Sequence, residues 1–287
     1  MDIYNFFIIV LMFIFIVYIL YHIYKNNLEF KLIDKKEHFD NQNIKYLTYN
    51  ETADFLLKDP DNYVKNMTDI DLYARKVSSH DEYISEISKN AISFNKDEKD
   101  KLLKCTELAD NFLNNYVNSV YNINGKDIAN IKWIFALTNK RSKKDKIEYE
   151  EGLPHTRTDI IFLSKYVLNN NELDLTNILI HEKIHIYQRY NKELVENIIK
   201  NMGYEITRKN KNIYLLRANP DLNDNIYYDK QNNIEMLGLY KNSTPNSISD
   251  IIISNFSIEH PYEKMAYEIA EEYNKMHLNK YKNNNLL

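Results

Sequence analysis

Ile180-His181-Glu182-Lys183-Ile184-His185-Ile186-Tyr187-Gln188 holds two histidines four residues apart, with a glutamate directly after the first. On a helix, positions four apart stand one above the other on the same face. His181 and His185 can therefore offer two imidazole nitrogens to one ion. Glu182 lies one step round from His181, within reach of a water on that ion but badly placed to be a third ligand. Two neutral imidazoles, an open position and a carboxylate base are the donor set that hydrolysis at a zinc ion needs. The bland alternative is an amphipathic helix with two partly buried histidines and a surface glutamate.

The flanks support a helix. Leu175, Ile178 and Leu179 are apolar at helical spacing, and Asp174 is the expected N-cap. Gln188 falls three residues after His185, on the same face, where it can touch a ligand or a substrate. The stretch resembles the active-site helix of the zincin metallopeptidases. It departs from that pattern at Lys183, where the family usually has an uncharged residue. Pointing to solvent, Lys183 is harmless; pointing inward, it would weaken metal binding or lower the basicity of Glu182.

Length and composition narrow the field. A chain of 287 residues with 44% hydrophobic content is long enough for one sizeable domain, or one domain plus a helical extension. The net charge of −4 gives no nucleic-acid footprint. With only four glycines there is no Gly-rich phosphate loop. Cys105 stands alone, which excludes an internal disulfide and a thiolate metal cluster.

Residues 3–24 are almost wholly apolar and aromatic, and Phe6 to Leu20 carry no charge. About 20 such residues suffice to cross a hydrocarbon core, so one N-terminal transmembrane helix is expected over 1–24. Lys25, Lys31, Lys35 and Lys36 follow it, which places the main domain on the cytoplasmic side. Residues 25–50 read as a polar tether, and 51–130 as a helical scaffold. Ser79-His80-Asp81-Glu82 has the form of a capping box, with His80 facing solvent. A long helix is expected from Lys96 to Tyr121, with Gly125 after its end and Cys105 packed near it. Trp133–Leu137 and Asp159–Leu163 read as strands. Between them, Asn139–Glu151 is a charged, exposed loop. Lys192–Met202 is a second helix that Gly203 can cap. Ile213–Leu216 is a candidate short strand, and Arg217–Asp221 a turn.

A zinc site with an open position needs a third protein ligand. The zincin resemblance offers two forms. A further histidine six residues after His185 is absent, since Asn191 stands there, so a glutamate on a later helix, as in the gluzincin group, is implied. Pro261 opens such a helix. Met265, Ala266, Ile269, Ala270 and Tyr273 form its apolar face, and Glu263 lies along it. Glu268 lies about 140° away on the polar side. Glu263-x-x-Ala266 also resembles the element around the third ligand in several gluzincin families. Glu263 is therefore preferred, with Glu268 as the alternative.

The resemblance implies more. The fold class is α+β, a helix-rich zincin-like domain with a small sheet over 131–287. The order strand, loop, strand, helix matches a layout in which an edge strand beside the active-site helix pairs with the substrate backbone. His155 then falls at the mouth of that cleft, or is simply a loop histidine. The class often uses a tyrosine to steady the oxyanion, and Tyr227 and Tyr228 lie on a possible strand; Tyr228 and His155 are the candidates. The expected function is peptide-bond hydrolysis with one zinc ion per chain, held by His181, His185 and Glu263, with Glu182 as base. The alternative is a tethered zincin-like protein that binds a partner and cleaves nothing.

Overall fold

A computed structural model describes residues 43–117, 120–139, 147–209, 213–254 and 258–284. The chain punctuates its helices with side-chain caps. Helix α1 (Tyr49–Lys58) opens on Thr48 with Glu51 completing a capping box, and α2 (Asp69–Ala74) on Thr68 with Asp71. Helix α3 (His80–Ser88) starts at Ser79, whose hydroxyl accepts from Glu82 N, but the Glu82 carboxylate turns to Ser78 instead. His80 is partly buried and bonds the carbonyl of Met67, so it does not face solvent. The box Asn95/Glu98 opens α4 (Lys96–Asn114), which ends well before Tyr121. After a return, α5 (Gly125–Ala129) packs back on α4. A Cβ at Gly125 would stand 2.1 Å from Leu113 O, so only glycine permits that approach.

One mixed sheet forms the floor. Strand β3 (Trp133–Thr138) pairs in parallel with β1 (Ile44–Tyr46) and β5 (Ile160–Ser164). It also pairs antiparallel with β2 (Ala91–Ile92). The edge strand β4 (His155–Arg157) runs antiparallel to β5. Every residue of β5 is buried, as a strand covered on both faces must be. Short helix α6 (Lys165–Leu168) then leads to α7 (Glu172–Tyr190), which lies against the sheet, α4 and the C-terminal helix. Helix α8 (Lys192–Asn201) follows, and Gly203 at φ 93° ends it as expected. Strands β6 (Tyr204–Lys209), β7 (Asn225–Asp229) and β8 (Ile234–Met236) make a second antiparallel sheet. Strands β9 (Gly238–Tyr240) and β10 (Ile251–Ile253) make a hairpin pair, and α9 (Pro261–Asn284) closes the chain.

The architecture is α+β. The main core lies where α4, α7 and α9 meet the sheet, around Leu102, Leu113, Phe135, Leu179, Ile184 and Ile269, all at 0% exposure. Each such aliphatic or aromatic side chain contributes about 1.5–3 kcal/mol through burial. Residues 51–130 and 131–287 share this sheet and core, so the scaffold and catalytic regions are one compact unit from Ile44 onward. The tether ends earlier than expected, because Ile44–Tyr46 already pair as β1.

The membrane assignment is corrected. No helix among the described residues is long and apolar enough to cross a membrane. The long ones, α4, α7 and α9, carry charges along their length. The run 3–24 that suggested the anchor lies outside the described residues.

Three local expectations also change. Helix α7 starts at Glu172 with Asn171 as its N-cap, and Asp174 is the residue whose N–H that cap receives. The supposedly exposed loop before Gly152 buries Tyr149 and Glu150. Ile213–Leu216 forms no strand; Leu216 makes one bridge to Leu239.

Candidate metal centre

Helix α7 is buried almost all the way round, which is why its polar residues must each find a partner or a purpose. His181 and His185 project from it toward Glu263 in the first turn of α9. The two Nε2 atoms are 3.0 Å apart, and Glu263 Oε2 lies 3.3 Å from one and 3.7 Å from the other. A point about 2.0–2.1 Å from all three atoms lies just off their plane, which is the bond length of zinc to imidazole and carboxylate. The residues therefore fit a divalent ion, and they form the one cluster of such donors among the described residues. Glu268 is elsewhere: its carboxylate accepts from Lys264 and Tyr121.

Gln188 fixes the chemistry of His185. Its Nε2 donates to the carbonyl of Tyr262 at 2.9 Å, so its Oε1 faces His185 Nδ1, also at 2.9 Å. Oε1 can only accept, so Nδ1 carries the proton and Nε2 keeps its lone pair for an ion. The same amide ties α7 to the residue just before Glu263. Asn219 Nδ2 donates to the other oxygen of Glu263 at 3.2 Å and to Glu259 at 2.8 Å.

The electrostatics favour a cation among these donors. Burial opposes charging His185, but Glu263, Asp221 and Glu182 together outweigh it and push the imidazole up to about 9. Burial likewise opposes the Glu263 anion, and His185 and His181 together outweigh it, holding that carboxyl well below its usual range. Glu182 moves the other way: burial, then Asp221, raises it well above an ordinary carboxylate. Its Oε2 is buried with no partner. A carboxylate with high proton affinity and a free oxygen beside the donor cluster is equipped to take a proton from water.

Lys183 points inward, yet away from the centre. Two positions along a helix turn about 200°, so Lys183 lies opposite both His181 and His185. Its Nζ donates to Asp110 Oδ1 at 2.6 Å and Ala129 O at 2.9 Å, and sits 3.9 Å from the Trp133 ring centre. It anchors α7 to α4 and α5, and the expected penalty on the metal site does not arise.

A cavity of about 360 Å³ opens on the cluster. Its lining includes His155, His181, Glu182, Glu263 and Tyr267, with apolar walls at Ile248, Ile253 and Ile258. The structure thus gathers His181, Glu182, His185, Glu263 and His155, but not Tyr228. The Tyr228 hydroxyl bonds Asn233 in its own hairpin, and Tyr227 bonds Glu196 at 2.7 Å. The tyrosine at the centre is Tyr267, whose ring centre lies 4.5 Å from that of His181. It stands four residues after Glu263, the helical spacing that would have marked it in the sequence.

His155 cannot be an oxyanion donor as it stands. Its Nδ1 donates to the carbonyl of Leu153 at 3.0 Å, so Nε2 carries a lone pair. Burial keeps the ring neutral by pushing its pKa down. The outer edge of β4 is also taken. Thr156 N donates to Asp221 Oδ1 at 2.7 Å, and Arg189 Nη2 donates to Thr156 O at 3.0 Å. The edge that the resemblance assigns to substrate pairing is closed at Thr156 by Arg189 and Asp221, two residues the sequence did not single out.

No family model, no curated protein and no solved structure matches the chain.

Proposed function

We propose that this chain is a zinc-dependent metallopeptidase. The observation that carries the reading is the convergence of His181 Nε2, His185 Nε2 and Glu263 Oε2, with His181, Glu263 and the incompletely bonded Glu182 lining one cavity and His185 buried behind them. Two imidazoles and one carboxylate, without thiolate, suit zinc. The ion, when bound, supplies a Lewis acid that polarises a peptide carbonyl and makes water acidic near neutral pH. The chain's own residues do the rest. Glu182 Oε2 takes the proton as the water oxygen adds to the carbonyl carbon, and returns it to the departing amine as the C–N bond breaks. Gln188 and Asn219 keep His185 and Glu263 aimed. Tyr267, which lines the cavity with its ring 4.5 Å from that of His181, takes the oxyanion-donor role in this reading in place of Tyr228. Lys183 bonds Asp110 and Ala129 on the side of the helix away from the donors, which supports this reading over that of a zincin-like protein that cleaves nothing.

The test is metal content of the full chain by mass spectrometry, with His185→Ala alongside, and digestion of a peptide library by wild type and Glu182→Gln. About one zinc per chain, lost in His185→Ala, and cleavage reduced by about 10³-fold in a zinc-replete Glu182→Gln are expected. A zinc-loaded wild type that cleaves no peptide would sink the proposal.

A further inference from the structure

Three consecutive residues, of which the first lines the cavity, lie in the left-handed region: Glu150 (φ 45°, ψ 35°), Glu151 (φ 54°, ψ 23°) and Gly152 (φ 76°). Non-glycine residues enter that region singly, not in runs, and such strain persists only where the surroundings over-determine it. Here they do. Glu150 is 4% exposed and receives Arg75 Nε at 2.9 Å, Arg75 Nη2 at 2.6 Å and the Tyr83 hydroxyl at 2.8 Å. Glu151 accepts from Ile248 N at 3.0 Å, and Gly152 O accepts from Ser164 Oγ at 2.8 Å. The turn feeds directly into Leu153, Pro154 and His155, which line the cavity.

The same arginine reaches the opposite wall. Arg75 Nη1 donates to Asp71 O at 3.2 Å and lies 3.6 Å from Asp71 Oδ1. That Oδ1 accepts from Ala218 N at 2.9 Å, in the segment that carries Arg217, Asn219 and Asp221. Tyr240 adds its hydroxyl to Asp71 Oδ1 at 3.0 Å. So one buried guanidinium on the end of α2 holds the left-handed turn with one edge and, through Asp71, the 217–221 segment with another.

The geometry points to Arg75 as a positioning residue that sets both walls of the cavity and thereby how a peptide is held over the metal centre. The consequence for substrate rests on the metallopeptidase reading; the coupling of the two walls does not. A fork is required, because a point charge on lysine cannot bond Glu150 twice and still reach Asp71. Relaxing the turn to ordinary backbone releases its strain but swings Leu153–His155 out of place.

The test is hydrogen exchange by mass spectrometry on the full chain, comparing wild type with Arg75→Met/Glu150→Leu. The double replacement removes the fork together with Glu150, and Asp71, which loses its cation, keeps its bonds from Thr68, Ala218 and Tyr240. Exchange in residues 149–156 and 215–222 should rise together by about tenfold, while 181–188 and 262–270 keep wild-type rates. On the peptide that wild type cleaves best, KM should rise about tenfold with kcat within about threefold. Arg75→Lys should fall between the two, and carries the same comparison alone if the double variant does not fold. Wild-type rates in both segments, or loosening of only one, overturns the assignment, as does a fall in kcat with KM unchanged. If wild type cleaves no peptide, the metallopeptidase reading fails by itself and the exchange comparison still decides this one.

Discussion

Glu182 and Lys183 are neighbours on α7, both buried at 2% exposure or less, and the fold treats them in opposite ways. Lys183 is satisfied: it has Asp110, a backbone carbonyl and the face of Trp133, while Trp133 Nε1 donates to the second oxygen of Asp110 at 3.0 Å. Burial still lowers its pKa to about 8, and Asp110 offsets part of that. Glu182 has an oxygen with no partner and two carboxylates, Asp221 and Glu263, near it. A buried polar group left unpaired costs about 1–3 kcal/mol. The difference separates the two faces of the helix: Lys183's face is closed on its own partners, and Glu182 keeps one buried oxygen without a hydrogen bond.

The largest effect should come from opening the closed face. Lys183→Ala leaves Asp110 in the core interface without its cation, and should lower stability by about 3 kcal/mol in denaturant unfolding, toward the low end for a buried pair because Asp110 is one-quarter exposed. Zinc stoichiometry should not change. Loss of zinc from a folded Lys183→Ala would show that the two faces are not independent. Replacing the neighbour should act with the opposite sign. Glu182→Gln keeps the shape and removes a poorly satisfied charge, so the metal-free variant should be more stable by about 1–2 kcal/mol, as expected where function holds a group in a costly state. A destabilised Glu182→Gln would mean that the carboxylate is paired after all. Gln188→Leu sits between the faces. It frees the His185 tautomer and unties α7 from Tyr262, and should weaken zinc affinity by about 10- to 100-fold in a competition titration.

Much of this centre was legible in the sequence. The His181/His185 spacing, the Pro261 helix start and the burial of Glu263 along an apolar face all follow from one helical period. What that period could not supply was the loop chemistry. Asn219, Asp221 and Arg217 come from a segment readable only as a turn, and its bonds to Glu263, Thr156 and Glu259 span 40 to 65 residues of sequence. Lys183 was misjudged because inward and toward the metal were treated as one direction, although a helix has more than one buried side. Tyr228 is a candidate only through the tyrosine donor that the zincin resemblance implies, while Tyr267, one turn beyond Glu263, is within reach of the helical spacing argument. His155 opens β4 and lines the cavity, and its tautomer depends on the carbonyl of Leu153, a contact no sequence spacing announces.

The smallest effect tests whether satisfied carboxylates respond to acid as scaffold should. Burial raises the Glu150 pKa and Arg75 outweighs it, so the group ends below its ordinary value. Above the unfolded pKa both states are ionised, and the folded chain keeps the whole benefit of the pair. As pH falls through the unfolded pKa, the unfolded chain binds the proton first, so stability drops until the folded pKa is also passed. One carboxylate can contribute at most about 1.4 kcal/mol per pH unit to that slope. Arg75→Met/Glu150→Leu has no such group, so its unfolding free energy should decline less steeply than that of wild type as pH is lowered below about 4.5. Parallel curves would mean that Glu150 titrates alike in both states, and that the left-handed turn is held by packing, not by charge.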